Sequence, residues 1–361
     1  MGAVRPIAGR GEPRWLPQPC GIRPDSFQPG PSIHHRGEPL MNIPPENTDR
    51  SPSAGRDFIE LTKPRIAVLV LISVAAGAYL AGELYPHRFS WWLLIHAVVG
   101  SGLVAGSAST LNQVLERRVD GLMGRTRNRP LPTGRLTPRA AILFGFILAV
   151  AGMLELWLCL PSPACAIAAL ATLLGYVLVY TPLKMLTDLN TIIGAAPGAT
   201  PPLLGYLAVT GSMDGPAWSL FLILFIWQIP HFLAIAWMYK DQYAAAGMKM
   251  LTVRDSTGAT TGRQMVLYCL VLLIVSLSPF LLFPFESRPG LLYFVGSMGS
   301  GLMFLWAAIR FARAPGFPLA RQALRASLLH WPLVLLFLLL DSGARHKPGS
   351  DSPPSIEAHS P

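Results

Sequence analysis

From Arg65 to Leu340 the chain runs as apolar segments separated by short polar loops, and this alternation limits the fold more than any other feature. The segments cover residues 65–83, 91–111, 140–160, 164–181, 191–209, 217–238, 265–284, 291–310 and 328–340. All but the last, the shortest, have the length a helix needs to cross a hydrocarbon core of about 30 Å. An open sheet leaves backbone groups unpaired in lipid, so the segments are expected to be helices. The expected fold is therefore an all-α membrane protein with about nine transmembrane helices. The composition agrees, with 52% hydrophobic and 13% charged residues and a mean hydropathy of +0.43, too apolar for an ordinary soluble domain.

The flanks differ from this core. Residues 1–56 are rich in Pro, Gly, Ser and Arg and carry no apolar run, so the expectation is a disordered extension that is neither a secretory signal nor a span. Met41 opens a second possible start of translation. The membrane domain is expected over residues 57–341 and a disordered polar tail over 342–361. The four cysteines, Cys20, Cys159, Cys165 and Cys269, form no CxxC pair and have no His at metal-ligand spacing, so Cys159 and Cys165 read as small apolar residues.

A net charge of +10 raises the question of nucleic acid, but the basic residues sit in short loops rather than along a solvated face, which argues against that partner. Arg117, Arg118, Arg125, Arg127, Arg129 and Arg135 occupy one loop, Lys184 another, Lys240, Lys249, Arg254 and Arg263 a third, and Arg313, Arg321 and Arg325 a fourth. The opposite loops hold little beyond Arg88 and Arg288. Counted this way, the basic loops and the amino terminus lie in the cytoplasm.

Those loops also hold the densest polar motifs. In "NQVLERRVDGLMGRTRNRPLPTG" the residues Asn112, Glu116 and Asp120 recur every fourth position, which on a helix drifts about 40° per step and leaves three oxygen donors on one stripe. Such a stripe suits Mg²⁺. An equally simple alternative pairs the acids with nearby arginines at a solvated helix end. Arg125, Arg127 and Arg129 alternate in a segment stiffened by Pro130 and Pro132, an arrangement matched to phosphate oxygens, to anionic lipid or to topology alone.

Two further stretches belong beside it. In "WQIPHFLAIAWMYKDQYAAAGMKML" Asp241 offers a second acid, flanked by Lys240 and Tyr243, and His231 follows Pro230 within an apolar segment. His231 either binds a ligand or bonds a carbonyl freed by the proline. In "YTPLKMLTDLNTIIGAAPGATPPLLG" Lys184 can neutralise a leaving diphosphate and Tyr180 can face a cation with its ring. Asn190 sits where the next helix begins, and the Gly and Pro that follow imply a broken or closely packed helix. His96, Glu155 and His330 are costly in lipid and have no partner visible in the sequence.

Taken together, the stretch from about Asp57 to Leu340 resembles the UbiA superfamily of intramembrane prenyltransferases through the N-x-x-x-[DE]-x-x-x-D pattern of Asn112, Glu116 and Asp120. Within it, "RTRNRPLPTG", "YTPLK" with Asn190 and Gly194, and "WQIPHF" before "YKDQYAAAG" resemble the protohaem IX farnesyltransferase subfamily. The resemblance implies helices around a central cavity capped on the cytoplasmic side, and Mg²⁺ as cofactor. It also implies farnesyl diphosphate and haem b as substrates, with haem O formed for haem-copper terminal oxidases. By match of motif, Asn112, Glu116 and Asp120 hold one metal and Asp241 a second, Arg125, Arg129 and Lys184 hold diphosphate, and Tyr180 faces the developing cation. Trp227, Phe232 and Trp237 are expected in the acceptor cavity, with His231, Asn190 and Tyr243 as further candidates. The chain departs from the second metal motif at Ala245, and has Gln242 where relatives often carry an acid.

The absence of an amphipathic, acid-poor presequence favours a bacterial plasma membrane, with the mitochondrial inner membrane as the alternative, and the resemblance implies haem A synthase or oxidase assembly factors as protein partners. Two rivals stay open on the sequence. One is a prenyltransferase for an aromatic or quinone precursor, and the other a transporter or assembly protein whose arginines only set topology.

Overall fold

The computed structural model describes residues 54–343. The expected extension before Ala54, the second start at Met41, Cys20 and the tail beyond Gly343 lie outside the described residues. Among the described residues there is no strand, and nine helices are long and apolar enough to cross a membrane. A short helix α1 (Ala54–Leu61) leads into α2 (Pro64–Leu84), α3 (Trp91–Asp120), α4 (Pro138–Leu158), α5 (Ala164–Leu186), α6 (Asn190–Thr210) and α7 (Gly215–Met238). A six-residue α8 (Lys240–Ala245) separates these from α9 (Ala259–Leu282), α10 (Leu291–Arg313) and α11 (Phe317–Ser342).

Two boundaries differ usefully from the hydropathy reading. Helix α3 does not stop at residue 111 but continues to Asp120, because nothing in "NQVLERRVD" breaks a helix. Helix α11 starts at Phe317 rather than at 328, since its first turns carry Arg321 and Arg325 and read as loop by hydropathy alone. Helix starts follow local chemistry: Ser90, Thr137 and Asp214 each accept a hydrogen bond from the backbone N–H three residues on. Pro64, Pro138 and Pro216 occupy the first turns of α2, α4 and α7, where a missing N–H costs nothing.

The helices close into a bundle. Helix α3 packs on α2 and α4, α2 on the second half of α6, and α7 on α9 and α11, with α10 against both α9 and α11. Burial rises from 22% of the membrane window in α4 to 67% in α7, which puts α7 in the middle of the packing. Helices α2 and α6 approach through small residues: a Cβ on Gly77 would lie 2.0 Å from the Pro202 carbonyl oxygen, and one on Gly205 would lie 1.8 Å from that of Val74. Trp331 Nε1 donates to Ser73 Oγ at 3.0 Å and ties α11 to α2.

Helix α6 is broken between Gly198 and Thr200, with Pro197 inside its first half. Helix α5 widens over Gly175–Tyr180, where the Thr181 N–H reaches back to the Tyr176 carbonyl. Pro182 explains the wide turn, because it has no N–H for the preceding turn and its ring crowds the carbonyl there. The wide turn and the end of α3 meet at the same end of the bundle, and the site forms between them.

Candidate active site

A cavity of about 140 Å³ is lined by Lys63, Ile66, Asn112, Glu116, Asp120, Met123, Arg125, Arg129, Tyr176, Tyr180, Lys184, Tyr243, Met248 and Met250. The extension of α3 to Asp120 puts Asn112, Glu116 and Asp120 on one face, and all three are buried. The loop that follows is folded back over them by hydrogen bonds from Thr126 Oγ1 to the Asp120 carbonyl and from the Arg125 N–H to Gln242 Oε1, at 2.8 Å and 3.1 Å. Leu61 of α1 packs with Val114, Leu131 and Leu136 beneath that loop. Arg135 pairs with Asp57 and Glu60 of α1 at 3.1 Å each.

Each oxygen donor is engaged by a base. Arg129 meets Asp120 Oδ2 at 2.7 Å, Lys184 meets Glu116 Oε1 at 2.7 Å, and Lys63 reaches Asn112 Oδ1 at 3.5 Å. Asn112 Nδ2 also donates to Thr181 Oγ1 at 3.0 Å, joining α3 to the wide turn of α5. Three cations, Arg125, Arg129 and Lys184, with Lys63 beside them, thus line the cavity against two carboxylates, Glu116 and Asp120. That surplus suits an anion with several oxygens.

The same cavity fits a hard cation. Asp120 Oδ1 is buried and has no hydrogen-bond partner, while Oδ2 takes Arg129. A bare carboxylate oxygen in a buried site is costly unless a cation or donor reaches it. With Glu116 Oε and Asn112 Oδ1 on the same face, the donor set is all oxygen, the kind that Mg²⁺ takes.

Lys63 is a site residue that the sequence reading missed. It is the one described residue other than glycine with a left-handed backbone, at φ 51°. It stands before Pro64, which bars the right-handed helical region to the preceding residue. Burial, joined by the charges of Arg129 and Lys184 and opposed by Glu116 and Asp120, pulls its ammonium down to about 7. The signal available was a lysine held rigidly against a proline, at the mouth of the first long apolar segment. Tyr176 was missed too, although it stands four residues before Tyr180, a spacing that makes the two neighbours on a helix, and its ring lies 5.2 Å from that of Tyr180.

Tyr180 lies under the Lys184 ammonium, which is 4.5 Å from the ring centroid. The ring also rests on Gly194, where a Cβ would come within 2.3 Å of it. Tyr243 lines the cavity from α8, and the Arg125 guanidinium stacks 5.0 Å from the ring centroid of Tyr239.

Other expected residues are not brought to this cavity. Asp241 is exposed on α8, and its neighbour Gln242 makes the contact to the α3 loop. Asn190 is buried and donates to the Thr187 and Lys249 carbonyls at 2.6 Å and 2.7 Å, so it clamps two loops together. Trp227, His231, Phe232 and Trp237 do not line the cavity. Trp237 packs edge-on against Phe311, and Trp227 stacks on His231 with 4.7 Å between ring centroids. Ser327 Oγ donates to the Leu324 carbonyl at 2.7 Å, so it accepts from His231 Nδ1–H at 2.8 Å. The lone pair of His231 is therefore on Nε2.

An adjoining apolar opening of about 210 Å³ lies between Leu115, Val119, Thr181, Pro182 and Met185 and shares Glu116, Lys184 and Met248 with the cavity. The Lys184–Glu116 pair borders both spaces. At about 140 Å³ the polar cavity is the size of a diphosphate group and smaller than the roughly 300–1,000 Å³ that larger ligands occupy.

Residues 70–338 match the UbiA prenyltransferase family. The chain is 43% identical over 295 residues to a protoheme IX farnesyltransferase of Solibacter usitatus, covering 79% of this chain and 98% of that protein. It is 39% identical over 293 residues to one of Koribacter versatilis, covering 79% and 93%. Among solved structures, the fold is similar to a digeranylgeranylglyceryl phosphate synthase at a TM-score of 0.66, with 16% identity and 80% and 98% of the two chains covered. A UbiA homologue from Archaeoglobus fulgidus bound to GPP and Mg²⁺ aligns at a TM-score of 0.60, with 13% identity and 80% and 99% covered.

Proposed function

The chain belongs to the UbiA prenyltransferase family, and on that premise we propose that it transfers the farnesyl group of farnesyl diphosphate to a vinyl group of protohaem IX, giving haem O and diphosphate. The donor half of this reading is carried by one observation: Asn112, Glu116 and Asp120 share a buried cavity with Lys63, Arg125, Arg129 and Lys184. The acceptor half rests on the relatives named as protoheme IX farnesyltransferases.

Asn112, Glu116 and Asp120 would hold Mg²⁺. When bound, the metal supplies positive charge for the diphosphate that leaves. Arg125, Arg129 and Lys184 hold diphosphate oxygens, and Lys63 lines the same cavity as a further N–H donor. As the C1–O bond of the donor breaks, its electron pair departs with the diphosphate, and these cations stabilise that charge in the transition state. Tyr180 presents its ring to the allylic cation left at C1. The π electrons of the haem vinyl group form the new bond to C1, and water then adds to the resulting cation and loses a proton. No side-chain nucleophile is required. Asp241, exposed on α8, has no part in this reading.

The chain is a multi-pass membrane protein, and we place it in a bacterial plasma membrane with the site on the cytoplasmic face. Membranes bearing the wild type, supplied with haem b, farnesyl diphosphate and Mg²⁺, are expected to form haem O, and those bearing Asp120→Ala are not. Diphosphate released with haem b unchanged would discard the acceptor. No diphosphate release at all would discard the donor chemistry.

A further inference from the structure

At the other end of α3 and α4 the structure sets His96 beside Glu155 and Cys159, two residues one helical turn apart. His96 Nδ1 lies 2.6 Å from Glu155 Oε1, and Cys159 Sγ lies 3.9 Å from Glu155 Oε2. An imidazole nitrogen, a carboxylate oxygen and the thiol all fall within 4.8 Å of one another. No other group of three or more such ligands occurs among the described residues. We propose that His96, Glu155 and Cys159 bind a borderline-soft divalent metal ion of the Zn²⁺ class, on the membrane face opposite the prenyl-transfer cavity.

The placement permits it. Asp120 follows His96 by 24 positions on one helix, a separation of about 36 Å along the axis, so this cluster is remote from the Mg²⁺ residues. Trp91 and Trp92 open α3 and are exposed, as anchors at a membrane interface are, and Cys159 caps the end of α4. The trio therefore lies at headgroup depth. The His96 and Glu155 side chains keep 14% and 26% of their surface exposed, enough for an ion to enter without unfolding the helix pair.

The chemistry suits a metal. A neutral imidazole is the form that ligates metals. A metal at Nδ1 takes the place of the proton shared with Glu155, so the imidazole, the carboxylate and the Cys159 sulfur reach one ion. Binding displaces the Cys159 thiol proton to water. A divalent ion with one thiolate, one carboxylate and a neutral imidazole sums to zero charge, which suits the edge of a bilayer. Three mixed N, O and S ligands select the Zn²⁺ class over Mg²⁺ and leave a fourth tetrahedral position for water or a soluble ligand.

The test is a Co²⁺ titration of the full-length protein in lipid nanodiscs, followed by competition with Zn²⁺. The wild type is expected to show thiolate-to-cobalt charge-transfer absorption that Zn²⁺ abolishes. Cys159→Ser is expected to lose that absorption and bind Zn²⁺ about tenfold more weakly or worse, and His96→Gln to bind it as weakly. Asp120→Asn is expected to keep it, because the Mg²⁺ residues offer only oxygen. Farnesyl transfer by Cys159→Ser at the wild-type rate would show that the fold is intact. A wild type that takes up no Co²⁺, or takes it up without thiolate absorption, overturns the proposal. So does absorption that survives in Cys159→Ser, which would assign it to another cysteine.

Discussion

Lys184 Nζ donates to Glu116 Oε1 at 2.7 Å across a sequence separation of 68, so a cation suited to diphosphate neutralises a carboxylate suited to metal. Arg129 and Asp120 repeat the arrangement at 2.7 Å. Either ligand arriving alone must break an ion pair without replacing it, whereas both together supply each partner with a new counter-charge. Mg²⁺ is therefore expected to bind at least fivefold to tenfold more tightly when a non-reacting farnesyl diphosphate analogue is present, a coupling of about 1–1.4 kcal/mol. The analogue should gain the same factor from Mg²⁺. Calorimetric titration in both orders checks this, and equal affinities with and without the second ligand would refute it.

Asp120 is 1% exposed and its Oδ1 has no partner, so Arg129 is the group that makes its charge tolerable. Arg129→Met is expected to cost about 3 kcal/mol, the lower end for breaking a buried pair, because the Arg129 side chain is still 21% exposed. Mg²⁺ should then raise the melting temperature of the variant more than that of the wild type. A variant as stable as the wild type in EDTA would contradict this.

Gly194 lets the Tyr180 ring lie where a Cβ would approach it to 2.3 Å. Gly194→Ala is expected to push the ring out of the cavity and lower kcat by tenfold to about a hundredfold, the scale of an ångström-sized displacement at a reacting centre. Its effect should vanish in a Tyr180→Ala background. Additive losses in the double variant would show that Gly194 acts elsewhere.

Asp255 sits before α9 and accepts from the Thr261 N–H at 2.7 Å, Thr261 Oγ1 at 2.8 Å and the Gly258 N–H at 3.0 Å. Burial works to raise its carboxyl, but these donors outweigh it and hold the group below the ordinary value of 3.8. A depressed carboxylate contributes its stability in full above the unfolded value and loses it as pH falls through the folded value. Asp255→Ala is expected to cost about 1 kcal/mol at neutral pH, as other capping losses do, and nothing once the wild-type carboxyl is protonated. Thermal unfolding of both proteins across acid pH measures the gap, and a gap independent of pH would be evidence against the carboxylate.

Much of the bundle was legible because lipid imposes one rule on every segment: satisfy the backbone internally and present apolar side chains outward. Hydropathy alone therefore counted the helices and placed most of their ends. It failed at Asp120 and Phe317, where a helix leaves the apolar region without ceasing to be a helix. The metal stripe was legible for a related reason, since Asn112, Glu116 and Asp120 lie on one helix and their spacing fixes their direction.

What the sequence determined by itself is whatever depends on near neighbours along the chain: the nine apolar helices among the described residues, the stripe on α3, the proline before which Lys63 is held and the break in α6. Tertiary structure decided which groups meet across helices. It brought Lys63 and Tyr176 into the cavity, kept Asp241 at the surface, and gave His330 the Ser300 hydroxyl at 2.9 Å. It also set His96 beside Glu155 and Cys159, residues about 60 positions apart in sequence. Such pairings depend on rotation and depth of one helix against another, which side-chain volumes and small-residue contacts set together, and no local pattern in either helix records them.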